Sequence, residues 1–364
     1  MTIKIEWRAL NVPLGVRNSQ EEFLEREIFL LCITPKHQSF QGRSFLAEAA
    51  PLPNYGQKAD NRELVLAAYQ ELLDRYLAFL EDLLLLPAKQ ALEELRLLEK
   101  LRPLSRAAQC SIEAALLSAI AFKHRTTRQD LLRQFFQTKP EKISGPPFDK
   151  ACRLVSTQAE LQEASALGVN HFKLKLLGPQ QEQRQSLKEL MKSRPDAYYR
   201  IDANSCLKAT ELKELANELQ DFRIEFWEDP LAESPGTSDQ EQAQLFLPLA
   251  LDEPLAHLEP QAKQIKPYDA SFLIIKPMVQ GSIHRMRSWS QVADQLDQRL
   301  VLSHFLDGPL SRSYANDLHC SLPKTLSPPG LGDHKGSKAL LESSLEAVAS
   351  AWGKDLETYL REGP

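Results

Sequence analysis

Five successive apolar runs in the second half of the chain carry charged groups at near-constant intervals. Lys173 and Lys175 lie in the run NHFKLKLL, Asp202 in YYRIDAN, Glu228 in RIEFWEDP, Asp252 in PLALDEP and Lys276 in SFLIIKP. Counted from Lys175, successive members are 27, 26, 24 and 24 residues apart, about one strand–helix unit per step. Three carboxylates converging on one point repel one another and raise one another's pKa unless a cation lies among them. With water and a substrate carboxylate, these three hard oxygen donors complete the octahedral shell of Mg²⁺, with Mn²⁺ as an alternative ion. Flanking lysines then face a dication and each other, which favours the neutral amine and brings a reference pKa of ~10.4 towards that of a general base. The chemistry this serves is abstraction of a proton α to a carboxylate, with the ion stabilising the charge that develops.

Each residue alone also has an ordinary reading. Lys276 is a lysine that can snorkel from a strand end, and Asp202, Glu228 and Asp252 can cap helices that follow strands. Asp229 and Glu253 are read as caps or as partners of the acids. The KxK of a strand puts Lys173 and Lys175 on one face, and Lys173 is either catalytic or structural. Arg200 is left between a substrate contact and an ion pair. His304 is read as a loop residue, and Pro53, Asn54 and Tyr55 as either a turn or a lid. It is the spacing of the whole set that points to one site.

The elements that must position these groups follow from periodicity. Three strand-like runs, Ile3–Val12, Glu27–Thr34 and Ser44–Leu52, predict a small antiparallel sheet. Helical periodicity from Asp60 to His124, broken at Pro87 and Pro103, predicts about three helices. SGPPF, within Arg125–Lys150, reads as a domain boundary. Beyond it eight short apolar runs alternate with helical segments: Cys152–Ser156, Asn170–Leu177, Tyr198–Asn204, Arg223–Pro230, Pro248–Pro254, Ser271–Pro277, Arg299–Phe305 and Lys324–Gly330. This alternation implies parallel strands, and eight units imply a closed barrel with catalytic groups at the C-terminal strand ends. The absence of GxGxxG speaks against an open dinucleotide-binding sheet. The expected organisation is an α/β chain with an N-terminal α+β domain over residues 1–125 and a barrel over 150–336. Amphipathic helices at about 337–364 are expected to pack back on the first domain.

Composition narrows the partners. The chain has 364 residues, 43% hydrophobic and 26% charged, and no stretch resembles a membrane span. A net charge of −5 without a basic run argues against nucleic acid. Five cysteines without CxxC spacing argue against a disulfide framework or a zinc site. The opening MTIKIEWRAL lacks a signal-peptide pattern, and a cytoplasmic location and a small-molecule carboxylate substrate are expected. Oligomeric state is not legible.

The ordered motifs resemble the enolase superfamily in its muconate-lactonizing subgroup. KLK, DAN, WEDP, LDEP and IIKP are similar to that subgroup's elements on barrel strands two to six. The resemblance implies a modified (β/α)7β barrel with a capping domain, Asp202, Glu228 and Asp252 as metal ligands, and Lys175 as base. It further implies Lys276 on the opposite face and Lys173 depressing the base's pKa. Within the subgroup AEAAPLPNYG, KPMVQGS and RIDAN most resemble the o-succinylbenzoate synthase family. That likeness implies dehydration of 2-succinyl-6-hydroxy-2,4-cyclohexadiene-1-carboxylate in menaquinone biosynthesis. It also implies substrate contacts from Arg200, Asn204, Ser303, Gly330 and the loop bearing Tyr55. RSFLAE stands where a glycine–aromatic–glycine–glutamate is usual, and SHFLDGP where a serine-rich turn is usual. The rival readings are an N-acylamino acid racemase or dipeptide epimerase, muconate cycloisomerase, and a non-catalytic barrel scaffold. PPGLGDH lacks the Asp-x-Asp with which such epimerases hold an amino terminus.

Overall fold

Two sheets and the helices between them build the protein. A computed structural model describes residues 3–17, 22–52, 60–100, 105–138, 151–232, 247–325, 328–333 and 336–362. β1 (Ile3–Arg17), β2 (Glu22–Pro35) and β3 (Phe45–Ala49) form an antiparallel sheet in the order β1-β2-β3. Side chains from Ile28 to Ile33 are all buried, so this central strand reads as a continuous apolar run because both its faces are covered. Helix Arg106–Lys123 packs on β2 and β3, and helix Ser337–Trp352 on β1. Tyr359 closes the C-terminal segment onto the sheet, its hydroxyl bonding the amide and carbonyl of Leu46.

Helix Arg106–Lys123 is rich in Ala and Ser and buried from Ala107 to Ala121. Small side chains let it lie close between the sheet and the barrel. Its first turn is pinned by the Ser105 hydroxyl, which accepts from the Ala108 amide, and by Asp60, which accepts from Ala107 at 2.8 Å. The predicted helical stretch also contains Arg62–Glu71, a π-helical turn Leu72–Tyr76, Leu77–Leu83 and Ala88–Glu94. A helix not foreseen, Arg128–Phe136, lies in the presumed linker. Thr127 caps it, and it buries Leu131, Leu132, Phe135 and Phe136.

Seven parallel strands follow: β4 (Arg153–Leu154), β5 (His171–Lys175), β6 (Tyr198–Asp202), β7 (Arg223–Glu228), β8 (Leu249–Leu251), β9 (Phe272–Ile275) and β10 (Arg299–Leu302). Of the expected eighth strand over Lys324–Gly330, the described residues show two bridges, Leu300↔Thr325 and Ser303↔Gly330. Pro328 and Pro329 explain this, since proline has no N–H to give a ladder. Closure is still made by backbone: Gly330 N donates to Leu302 O at 2.7 Å and Cys152 N to Pro329 O at 2.9 Å. The sheet therefore curls shut around an interior packed with Phe226, Ala250, Phe272, Ile274 and Val301. Among the described residues no helix is long and apolar enough to cross a membrane.

Candidate active site

Strand alternation aims the charged groups inward. On β5, Phe172 and Leu174 are buried outward with Leu161, Leu187 and Met191, while Lys173 and Lys175 point to the barrel interior. Register then sets their level. Lys175 pairs with Asp202 and Asp202 with Glu228, whereas Glu228 pairs with Ala250, two residues before Asp252. Ala250 pairs with Phe272 and Leu302 with Ile275, so Lys276 stands a further two residues along and Ser303 beside it. The lag amounts to about one residue per strand, which is what strands tilted in an eight-stranded barrel of shear 8 need for their ends to be level. A flat sheet with this register would have spread the five groups along its edge.

At the mouth, each acid is paired with a lysine. Lys173 Nζ lies 2.8 Å from Asp202 Oδ2 and 2.7 Å from Glu228 Oε1. Lys276 Nζ donates to Asp252 Oδ2. Lys175 Nζ is 3.9 Å from Asp202, too far for a hydrogen bond. Asn204 donates to Asp202 Oδ1 through its backbone, at 3.2 Å, and through its amide side chain. The chain turns sharply here, with positive φ at Asn204 and Ser205 and again at Asp229. Asp229 is a cap for the turn Glu253–Ala256: it accepts from Glu253 N at 2.8 Å and from Asp252 N at 3.1 Å.

The electrostatics separate the lysines. Burial chiefly lowers the Lys175 pKa; Asp202 opposes, and Lys173 and Lys276 lower it further. Lys173 behaves differently from Lys175. Burial pulls it down, but Asp202 and Glu228 outweigh that and raise it well above the ordinary lysine value. Burial pushes the Glu228 carboxyl up to about 8; Lys173 resists, and Asp202 and Asp252 push it further. Burial works likewise on Asp252, yet Lys276 and Lys173 hold it below the usual carboxylate range. Asp229 is pushed up to about 8 by burial and by Asp252.

Other predicted residues are placed as follows. Arg200 sits below the mouth, 2% exposed, level with Lys173 and Phe226. Its guanidinium donates to Glu225 at 2.8 Å and to Pro328 O at 2.6 Å, so the structure gives it an ion pair with Glu225. Ser303 and Gly330 meet as bridge partners at the mouth, the Ser303 hydroxyl donating to Gly330 O at 3.2 Å. A Cβ on Gly330 would stand 2.9 Å from that hydroxyl. Tyr55, with Pro53 and Asn54, lies outside the described residues. His304 bonds the backbone of its own loop and Gly332.

Three features escaped the sequence reading. Phe305 places its ring 5.5 Å from Lys276 Nζ. Arg26 of β2 donates to Ala50 O at 2.8 Å and Phe305 O at 3.4 Å, tying the N-terminal sheet to the loop after β10. Glu48 of β3 accepts from Gly308 N at 2.6 Å in the same loop. All three depend on contacts between residues far apart in the chain and carry no local pattern.

Residues 156–348, from the first barrel helix into the C-terminal helices, match the family described as "Enolase C-terminal domain-like". The chain belongs to the enolase superfamily. Solved enolase-superfamily structures superpose over nearly the whole chain. A mandelate racemase/muconate lactonizing protein from Herpetosiphon aurantiacus has TM-score 0.71 and 19% identity, covering 89% of this chain and 87% of its own. A dipeptide epimerase from Methylococcus capsulatus, complexed with Mg and the dipeptide L-Arg-D-Lys, has TM-score 0.69 and 22% identity, covering 90% and 89%. The muconate lactonizing enzyme of Pseudomonas putida has TM-score 0.68 and 18% identity, covering 91% and 88%. At such identities the likeness shows the fold. No curated protein sequence matches the chain.

The donor set of this enolase-superfamily barrel fits a hard divalent ion in kind. Asp202, Glu228 and Asp252 are buried oxygen donors on adjacent strands, and Glu228 is hydrogen-bonded to Asp252. Two ammonium groups now neutralise them. Among the described residues no three such side chains converge tightly enough to cage an ion as placed, because Lys173 stands between Asp202 and Glu228 and Lys276 is drawn onto Asp252.

Proposed function

We propose that the chain abstracts a proton α to a carboxylate, with Mg²⁺ held by Asp202, Glu228 and Asp252. The observation that carries this reading is the meeting of three buried acids on adjacent strand ends with lysines from the strands on either side of them. A bound dication supplies Lewis-acid stabilisation of the charge that develops on the substrate carboxylate. Lys175 Nζ takes the proton: burial and two neighbouring ammonium groups favour its neutral form, and no hydrogen bond to Asp202 engages it. Lys276, on the other side of the acids, offers a fixed positive charge, and the Phe305 ring stabilises that charge. Lys173 stays protonated and holds Asp202 and Glu228 in place. Lys175 also lines a groove of about 1290 Å³ with Ser156, Leu177 and Gly308, to whose lining Asp202, Glu228, Asp252 and Lys276 do not belong.

The specific reaction we assign is dehydration of 2-succinyl-6-hydroxy-2,4-cyclohexadiene-1-carboxylate to 2-succinylbenzoate. Lys175 removes the α-proton and returns it to the departing hydroxyl, so water leaves and the ring becomes aromatic. The family motifs support this, as does the eighth strand position. Gly330 stands there, bridged to Ser303 at the end of β10, and Asp333 is turned to Arg312 and Arg153 at 2.6 and 3.4 Å, so no carboxylate among the described residues of that segment is offered to a substrate ammonium. Epimerisation of an N-acylamino acid or dipeptide is the second reading, favoured by lysines on both sides of the acids and by the epimerases among the structural relatives.

The test is a direct assay with the cyclohexadiene acid and Mg²⁺, following loss of diene absorbance. Turnover that stops on chelation without loss of folding supports the synthase reading. Exchange of an α-proton of an acylamino acid or dipeptide in D₂O, with no dehydration, selects the epimerase. Neither activity with Mg²⁺ present refutes catalysis by this site.

A further inference from the structure

We infer that Arg106, on the N-terminal domain, is a positioning residue that sets the spacing of Asp252 and Lys276. The inference rests on the reading of those residues given above. Its basis is one guanidinium nitrogen shared by two turns of the barrel. Arg106 Nη1 donates to Ala256 O at 3.0 Å and to Val279 O at 3.1 Å. Ala256 ends the turn Glu253–Ala256 that begins directly after Asp252. Val279 lies in the turn Pro277–Gln280 that begins directly after Lys276. The two residues whose side chains pair across the mouth are therefore held, one turn further on, by a single donor from the other domain.

The surroundings make this bridge rigid. Arg106 opens the buried helix Arg106–Lys123, and Asp60 and Ser105 fix that helix's first turn. Gly281, which ends the second turn at φ +85°, comes so close that a Cβ there would stand 3.3 Å from Arg106 Cβ and 3.0 Å from Gln109 Oε1. That φ and that contact leave room for glycine alone. Gln280 adds a parallel tie, donating to Leu255 O at 3.4 Å, while its own carbonyl oxygen accepts from Trp289 at 2.6 Å. A displacement of about 1 Å at a reacting group costs on the order of 10²-fold in rate, and loss of the shared donor frees both turns together.

The experiment compares Arg106→Met and Arg106→Lys with Arg287→Met. Arg287 also crosses between the domains, donating to Phe135 O at 2.8 Å and pairing with Glu93, but touches neither turn. Arg106→Met should lower kcat on the accepted carboxylate by about 10- to 100-fold with KM changed less than about threefold. Mg²⁺ affinity, read by calorimetry with the ion alone, should weaken, and amide exchange at Leu255, His257 and Val279–Gly281 should accelerate at least about tenfold. Arg106→Lys should recover part of each loss, since an ammonium can donate to both carbonyls. Arg287→Met should lower the unfolding midpoint and leave kcat and these amides unchanged. Arg106→Met matching Arg287→Met in kcat, Mg²⁺ affinity and exchange overturns the inference. If Arg106→Met does not fold, Arg106→Lys carries the test: faster exchange confined to the two turns supports the inference, and wild-type exchange overturns it. A wild-type chain with neither turnover nor Mg²⁺ binding refutes the function proposed above, and the exchange data still decide the role of Arg106.

Discussion

Replacing Glu48 by Gln should stabilise the protein at neutral pH. Glu48 lies on β3, 1% exposed, and reaches across to the loop after β10. Its Oε1 accepts from Gly308, but its Oε2 has no hydrogen-bond partner, nor has Oδ1 of buried Asp307. Burial first, and then Asp307, pushes the Glu48 carboxyl from an ordinary 4.5 up to about 8; Arg26 offsets only part of this. Asp307 itself is pushed up to about 6, again chiefly by burial. One buried guanidinium thus serves two carboxyls. A carboxyl whose folded pKa exceeds its unfolded value costs nothing below about pH 4.5, and its cost grows with pH until it levels off above about pH 8. At pH 7, about 2.5 units above the unfolded value, the cost is about 3 kcal/mol. Glutamine keeps a carbonyl oxygen for Gly308 N and brings an amide donor next to Asp307. Denaturant unfolding should show Glu48→Gln more stable than wild type by about 1–3 kcal/mol at pH 7, the difference vanishing near pH 4.5. A variant less stable than wild type by 1 kcal/mol or more at pH 7 would show that Arg26 holds Glu48 ionised, and the reasoning would be refuted.

Lys175→Ala and Lys276→Ala should each cut turnover by about 10²- to 10⁴-fold, with Mg²⁺ binding by calorimetry retained; near-normal turnover in Lys175→Ala removes that residue as the base. Arg200→Met should destabilise by about 1–3 kcal/mol, because partly buried Glu225 and the Pro328 carbonyl lose their donor, while the KM of the folded variant stays put; a large rise in KM would place Arg200 in substrate binding. His319 is fully buried with both ring nitrogens unpartnered, and burial lowers its pKa to about 4. Its contribution is complete above about pH 6.5 and is lost as pH falls towards 4, so His319→Leu should flatten the acid side of the stability profile; an unchanged profile would mean that the folded ring takes up its proton as readily as the unfolded one.

The loop after β10 shows how function and stability meet in this fold. Phe305 faces Lys276 while Arg26 and Glu48 hold the backbone on either side of it. A buried, imperfectly paired charge cluster is thus placed where the N-terminal sheet meets the candidate site. Its cost falls on the folded state, and what it secures is the place of one aromatic ring beside one ammonium.

Much of the site was legible because its signals are local. A charged residue closing an apolar β-branched run before a turn, as in IIKP or WEDP, marks a strand end within a few residues, and equal spacing implies equal units. The helix Arg128–Phe136 was legible too, through the TxxD cap Thr127–Asp130 and its apolar pairs, but the proline-rich segment beyond it drew the reading towards a linker. KTLSPPG closes the barrel at its described ends through two bridges, its two prolines being unable to donate to a ladder. Arg200 stayed ambiguous, since its partners Glu225 and Pro328 lie 25 and 128 residues away.

Sequence alone determined which groups stand at which strand ends, since side-chain direction alternates along a strand and needs no tertiary information. Only the tertiary structure decided their level, through barrel stagger, and their charge states, through burial. It also decided which distant residues hold them, Arg106 for the turns after Asp252 and Lys276, Arg26 and Glu48 for the loop of Phe305. Those are sums over neighbours that the chain brings together only when it closes.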